Sequence, residues 1–403
     1  MTDDNGSGYG RIANAPKEDE LLTHVDFGTP MGELFRRYWQ PIAVSSELTD
    51  LPKRIRILCE DLVVFRDAKG RVGLLGAHCI HRGTSLEYGR IEAEGIRCCY
   101  HGWLYDTEGR CLEQPAEPAR STYKDEVRQP WYPTHEYGGL VFAYMGPPDK
   151  KPEFPIFDIW LQEGATLYGY RNVSRGVVAD CNWLQIQENA TDPFHTFFLH
   201  STISGLQFTP AYAAKPSVKF QRTPYSVQYA RDAVLPNGNR WLRVGENFCP
   251  NARSLPPQTE TGEEAGLHRG RFIGWWVPVD NTHTIGFQLE TLFNTKDKQD
   301  ESVWATASPG RSNSKQRPAR TYEDTQRRPD DCEAQVSQGP IAVHALEHLA
   351  TSDGGVVLVR RMLREALQAI ERGEDPPNVK RDANDRIIKV AARNEVVAPE
   401  PVA

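Results

Sequence analysis

Cys79-Ile80-His81-Arg82-Gly83 and Cys98-Cys99-Tyr100-His101-Gly102-Trp103 decide how this chain is read. Each stretch offers one thiol and one imidazole within a single turn, as C-x-H and then C-x-x-H. Two Cys and two His suit one tetrahedral zinc, or a [2Fe–2S] cluster in which two imidazoles replace two thiolates on one iron. Chance competes poorly, since this pattern arises in about 1 of 1,000 random chains of such composition even with ten gap lengths allowed. Ligand order separates the metals. A zinc finger commonly keeps its cysteines in one half and its histidines in the other. Here both loops carry one of each, which suits two irons that both loops must reach. Gly83 and Gly102 permit the tight turns that bring the loops face to face.

Outward from these loops the chain reads as short β-type runs. Ile55–Leu58, Leu62–Phe65 and, after the turn Asp67–Gly70, Arg71–Leu75 form a hairpin-rich region. Runs at 96–105 and 140–145 continue it to Gly146-Pro147-Pro148, a domain boundary. Upstream, Thr29-Pro30 starts a helix with Leu34, Phe35, Tyr38 and Trp39 as its apolar stripe. Residues 1–20 read as a mobile lead-in. Downstream, strand-like runs at 166–178, 217–230, 240–248, 271–279 and 283–292 accompany a helical stretch at 182–200. Residues 294–320 are polar and read as a long loop. A closing helix carries Leu358, Met362, Leu363, Ala366, Leu367 and Ile370 on one face and stops at Gly373 and Pro376-Pro377. The expectation is an α+β chain: a helical region over 1–39, a β-rich domain over 40–148, and an antiparallel sheet covered by helices over 149–403.

Composition narrows the function. The 403 residues hold 47 Lys+Arg against 54 Asp+Glu, a net charge of −7, without the basic face of a nucleic-acid binder. No run of apolar residues is long enough to span a membrane, and the start lacks the basic and apolar regions of a signal peptide. A cytoplasmic protein is expected. Eight cysteines are too sparse for a disulfide scaffold. Cys59, Cys111, Cys181, Cys249 and Cys332 read as buried apolar residues.

A second group follows as Asn189-x-x-Asp192-x-x-His195-x-x-x-x-His200. Alone it is weak: the Asp-His-His spacing appears in about two per cent of chains of this composition, and Phe194, Phe197, Phe198 and Leu199 would suit a core helix. On an ideal α-helix His195 and His200 lie about 140° apart. Aiming both at one metal therefore needs a distortion, expected at Pro193 and the residue before it. Asp192 also suits the N-cap of the segment that Pro193 opens.

The cysteine–histidine loops resemble the Rieske signature closely, with Ile80 where proline is usual. Together with the downstream Asp192, His195 and His200, they make the chain similar to oxygenase components (alpha subunits) of Rieske non-heme iron ring-hydroxylating oxygenases. Gly28–Trp39, Glu60–Phe65, Tyr100–Trp103, Gly339-Pro340-Ile341 and Glu347-His348-Leu349 resemble the phthalate-oxygenase-like branch. The resemblance implies that Cys79 and Cys98 hold one cluster iron, and His81 and His101 the other. It implies that His195 and His200 bind a mononuclear Fe(II) with a later carboxylate, that Asp192 bridges to a cluster histidine of the neighbouring subunit, and that Asn189 lies near the iron. Counting back from Pro340 puts the third ligand at Asp331, with Asp330 and Glu333 as alternatives. An acidic trio there would equally suit a helix N-terminus.

The same resemblance implies a catalytic domain over 149–403 with the 1–39 region packed on it, a homotrimer, and electrons from NAD(P)H through a separate flavin and iron–sulfur reductase, directly or through a ferredoxin. The implied reaction is hydroxylation or dihydroxylation of an aromatic, carboxylated compound with O₂. Oxidative O-demethylation of a methoxylated aromatic acid uses the same sites and stays open. A Rieske electron carrier with a merely structural second site is the alternative of another class, disfavoured by the second set of ligand-type residues. The substrate pocket is expected among the strands around 200–290, with 294–320 as its lid. Phe208, Tyr212, Trp275 and Phe287 are candidate lining residues, and Arg243, Arg269 and Arg271 candidate carboxylate binders; plain core and surface salt bridges are the competing fates.

Overall fold

The structure, a computed structural model, describes residues 17–174, 177–260, 263–264, 267–293 and 320–399. The 1–16 part of the expected lead-in and the 294–319 part of the expected lid lie outside the described residues. Lys53–Ile57, Glu60–Arg66 and Val72–Gly76 form successive antiparallel hairpins, with Trp131–Tyr132 on the edge. Arg90–Glu92, Gly95–Arg97, Leu104–Tyr105 and Cys111–Glu113 form a second small sheet. Val63, Phe65, Leu75, Leu86, Ile96, Trp103 and Tyr105 close a core between them, and Cys79 and Cys98 belong to it. A third sheet, Trp39–Val44, Leu140–Tyr144 and Thr134–Tyr137, packs on a different and larger core.

That larger core lies against a sheet in which nine strands pair antiparallel among the described residues. Its path runs Thr166–Asn172, His283–Phe293, Leu267–Asp280, Ala252–Leu255, Arg240–Phe248, Ser226–Val234 and Ser217–Arg222. Glu263–Glu264 pairs with the Leu267–Asp280 strand, and Arg393–Val397 with Arg240–Phe248. The run expected over 217–230 is two strands. Pro224 has no N–H for a ladder, and Thr223 closes a turn there, its Oγ1 accepting from the Tyr225 and Ser226 amides. The mixed α+β architecture is as expected.

The Gly354–Glu371 helix covers the sheet, with Val359, Met362, Leu363, Ala366 and Leu367 packed in the same core as Phe248 and Trp275. Leu358 and Ile370, expected on the same face, lie half-buried at its margin. Thr29 caps Pro30–Phe35 by accepting from the Gly32 amide. Phe35 then meets Trp183 edge-on, ring centroids 4.8 Å apart. This seats the N-terminal helix under Trp183–Asn189, the helix that leads into the second histidine group.

Buried polar side chains tie that helix to a segment far along the chain. Gln185 Nε2 donates to the Gln335 carbonyl at 2.9 Å and the Gly339 carbonyl at 3.1 Å, and its Oε1 accepts from the Ala342 amide at 3.0 Å. Asn182 caps the helix through Leu184 N and donates to the Thr23 and Asn281 carbonyls. None of the eight cysteines pairs in a disulfide: Cys111, Cys181, Cys249 and Cys332 are buried as expected, Cys59 is half-buried and Cys99 exposed. No helix among the described residues is long and apolar enough to cross a membrane. Gln185→Ala strands three buried backbone partners and is expected to cost about 2–4 kcal/mol. A lowered thermal unfolding midpoint checks it; an unchanged midpoint contradicts the tether.

Candidate active site

The two cysteine–histidine loops are the same turn made twice. In one, the Gly83 amide donates to the Cys79 carbonyl at 2.8 Å and the Cys79 amide to the Thr84 carbonyl at 2.9 Å. In the other, the Gly102 amide donates to the Cys98 carbonyl at 3.1 Å and the Cys98 amide to the Trp103 carbonyl at 2.9 Å. Gly83 and Gly102 have φ of +75° and +74°, a conformation costly for any residue with a Cβ. Ile80 uses the N–H that a proline would lack, donating to Gln129 Oε1 at 2.9 Å. Gln129 Nε2 in turn holds the Gly76 and His78 carbonyls.

These turns bring the four side chains together. The His81 and His101 ring centroids lie 4.4 Å apart at 75°, and His81 stacks on Trp103 at 4.4 Å. Cys79 and Cys98 are buried, and the interaction between their thiols draws Cys98 below the ordinary thiol range and pushes Cys79 above it. Tyr105 Oη lies 3.1 Å from Cys79 Sγ. His81 Nδ1 is buried without a hydrogen-bond partner. Two thiols and an unsatisfied imidazole nitrogen beside a second imidazole fit a cluster that takes two of each.

The second group converges by two devices. Asp192 breaks the helical stretch: its Oδ1 accepts from the Phe194 and His195 amides, capping Pro193–Phe197. This is the distortion expected at Pro193. A further one was not anticipated, because Phe198–Ile203 widens into a π-helical turn, with the Ser204 amide reaching the Leu199 carbonyl five residues back. An i→i+5 ladder brings residues five apart toward one line, and the His195 and His200 ring centroids lie 5.4 Å apart.

Asp331 meets them from the first turn of Asp331–Val336. Its Oδ1 lies 3.5 Å from His195 Nε2 and 3.2 Å from His200 Nε2, and ligand atoms of all three lie within 4.8 Å of one another. Asp330 instead accepts from the Cys332 amide as N-cap and pairs with Arg320; Glu333 completes the capping box and pairs with the same arginine. So Asp331, rather than its two alternatives, stands at the imidazoles. Both Nδ1 atoms are held from behind, His200 by Gln207 Oε1 at 2.7 Å and His195 by the Asp192 carbonyl. Such outer contacts fix ring orientation at a metal. Burial holds the His195 imidazole below its ordinary pKa against the pull of Asp331 and Asp192, favouring the neutral, ligating form. Asn189 Nδ2 donates to Asp331 Oδ1 at 3.1 Å. Glu188, His344 and Glu347 also converge, but the Arg360 guanidinium hydrogen-bonds both carboxylates and supplies the positive charge there.

The histidines and Asp331 line a cleft of about 1220 Å³, its open mouth included. Phe208 and Tyr212 line it as expected, whereas Trp275 and Phe287 belong to the core. Arg243 is in the wall. Arg271 turns to the Val390 and Ala392 carbonyls, and the Arg269 side chain lies outside the described residues. The sequence reading missed Gln207, Asn172, Arg253, Gln288 and Glu290. Gln288 and Glu290 carried a signal: they are polar residues two apart, alternating with Phe287 and Leu289, the spacing of one strand face.

The sequence profile described as the Rieske [2Fe–2S] domain matches residues 38–129. The chain is 41% identical to the phenoxybenzoate dioxygenase subunit alpha of Ectopseudomonas oleovorans, over 96% of this chain and 94% of that one. It is 42% identical to the tert-butanol monooxygenase / tert-amyl alcohol desaturase oxygenase subunit of Aquincola tertiaricarbonis, over 92% and 80%. Dicamba monooxygenase bound to dicamba shares the fold, with a TM-score of 0.60 at 19% identity over 84% of this chain and 99% of that one. The chain belongs to the Rieske oxygenases, as an oxygenase component of the phthalate-oxygenase-like branch. It is therefore an enzyme, with a [2Fe–2S] cluster and a mononuclear iron as cofactors.

Asp331→Asn and His195→Ala are expected to lose mononuclear iron while keeping the visible absorption of the cluster, and Asp330→Asn to keep both. Iron analysis with an absorption spectrum checks this; loss of iron from Asp330→Asn alone would reverse the assignment.

Proposed function

We propose that this chain oxidises an aromatic, carboxylated small molecule with O₂, by hydroxylation or dihydroxylation, drawing electrons from NAD(P)H through a separate flavin and iron–sulfur reductase, directly or through a ferredoxin. The observation that carries the reading is the meeting of His195, His200 and Asp331 in one cleft, in a chain that also bears a Rieske domain. Its likeness to a phenoxybenzoate dioxygenase subunit supports the aromatic acid.

In this reading Cys79, His81, Cys98 and His101 hold the cluster, and His195, His200 and Asp331 the mononuclear iron. When bound, these groups supply stored single electrons and a ferrous centre with open positions for O₂. The chain's own residues do the rest. Gln207 and the Asp192 carbonyl keep both imidazoles aimed, Asn189 steadies Asp331, and Phe208 and Tyr212 offer ring faces to an aromatic substrate. The cap bonds of Asp192 use Oδ1 alone, so Oδ2 can accept from a cluster histidine of a neighbouring subunit. Phe198, Ile203 and Leu206 stand exposed near that turn, which supports an assembly, a homotrimer in our reading. We divide the chain into 1–39, 40–148 and 149–403, and place it in the cytoplasm, where unpaired cysteines and NAD(P)H are at home.

The test is turnover of aromatic acids, methoxylated ones included, with a reductase, NADH and O₂. Oxidised product with about three irons per chain supports the proposal; about two irons and no product would make the chain a carrier, and a single zinc with no colour would end both readings. Formaldehyde from a methoxylated acid would assign demethylation instead. Asp192→Asn keeps a cap oxygen but loses the charge, and is expected to leave both metal sites filled and to lower coupled product formation by at least about tenfold. Unchanged product formation refutes the bridge.

A further inference from the structure

The Ser226–Val234 and Arg240–Phe248 strands place Arg231 directly opposite Arg243. Like charges in that position destabilise a sheet, and these are 1% and 4% exposed, where an unpaired charge is costly. Every acceptor they reach among the described residues is neutral. Arg231 Nη2 donates to the Ala211 and Ala214 carbonyls, and its Nε and Nη1 are buried without partners. Arg243 donates to the Pro256 and Pro257 carbonyls and to Asn394 Oδ1. Tyr212 and Trp241 lie close to both guanidinium groups, at 5.3 and 5.0 Å from Arg231 and 5.8 and 5.9 Å from Arg243. Aromatic faces attract cations but bring no negative charge. Glu260, the acidic group acting on Tyr212, pairs with neither arginine among the described residues.

We infer that Arg243, backed by Arg231, is the anchor for the anionic group of the substrate, and that this cleft selects a carboxylate over a neutral group of the same shape. The inference rests on the function proposed above and adds the residue pair that sets its substrate class. Arg243 has five N–H donors, and its three bonds leave Nε–H and one Nη2–H, the side-on pair that matches the two oxygens of a carboxylate. Arg243 and Tyr212 line the same cleft as His195, His200 and Asp331. A bound carboxylate would supply the counter-charge that neither arginine finds among the described residues, so recognition and relief of the repulsion are one event. Arg231 is a positioning residue: it touches no substrate, and it raises the positive potential behind Arg243.

The experiment is anaerobic calorimetric binding to the full-length, cluster-loaded chain without reductant. The probes are benzoate, 3-methoxybenzoate and 3-phenoxybenzoate, each against its primary amide. The acid that fits is expected to bind about ten- to a hundredfold tighter than its amide. Arg243→Gln should bring that ratio to about 1, Arg243→Lys should retain part of it, and Arg231→Gln should lower it without abolishing it. Because the ratio is internal to each variant, partial unfolding does not imitate the effect. Equal binding of acids and amides by the parent chain, no binding of any acid, or loss of the preference in Arg253→Gln but not in Arg243→Gln overturns the inference. Acid preference without any oxidised product supports the anchor while refuting the oxidation reading.

Discussion

The second site depends on a buried amide. Gln185 uses both amide hydrogens and its carbonyl oxygen on backbone groups of Gln335, Gly339 and Ala342, and so fastens a late segment of the chain to the helix that leads to His195 and His200. Without such a fastening, Asp331 would have no reason to meet imidazoles contributed more than a hundred residues earlier. The amide is buried, so its bonds face no competition from water, and breaking them strands carbonyls in a dry interior. Gly339 and Pro340, prominent in the sequence, belong to this joint: the Gly339 carbonyl accepts from Gln185, and the Pro340 carbonyl from the Asn182 amide.

Two aspartates then set the local directions. Asp192 and Asp330 each cap the short helix that carries the next group of interest, His195 in one case and Asp331 in the other. A cap fixes where a helix starts and therefore which way its first turn points its side chains. This division of labour separates Asp330 from Asp331: one carboxylate is consumed by backbone amides and Arg320, and its neighbour is turned toward the imidazoles.

Much of this was legible in the residues. The paired loops could be read because their ligands and their turn glycines are local, and the structure repeats the same backbone bonds in both. The hairpins over 53–76 could be read for the same reason. The π-helical turn could not, since nothing in Phe198–Ile203 forbids an ordinary helix; His200 comes to the site through tertiary bonds, among them Gln207 at its Nδ1 and Ser204 Oγ at the Pro329 carbonyl. Residue type alone did not separate Asp330 from Asp331, because adjacent aspartates before a helix look alike until the cap is assigned; the count back from Pro340, made on the resemblance, chose Asp331. Trp275 and Phe287 show the opposite failure: an aromatic on a strand faces core or cleft according to sheet register, which composition does not encode.

The cleft wall raises a question of balance. Asn172, Gln288, Glu290, Arg243 and Arg253 open on the cavity. Neutral members satisfy one another, as Asn172 Nδ2 does with Gln288 Oε1 at 3.2 Å, and Glu290 accepts from Tyr170 Oη at 3.3 Å. Arg231 and Arg243 differ in kind, because carbonyl dipoles and ring faces can solvate a cation but cannot cancel its charge. Two such groups facing each other across a ladder would be a standing expense to stability unless a ligand completes them. A neutral alcohol would leave the repulsion where it is. A carboxylate, on the inference drawn above, offsets it and thereby turns this contact into a source of selectivity.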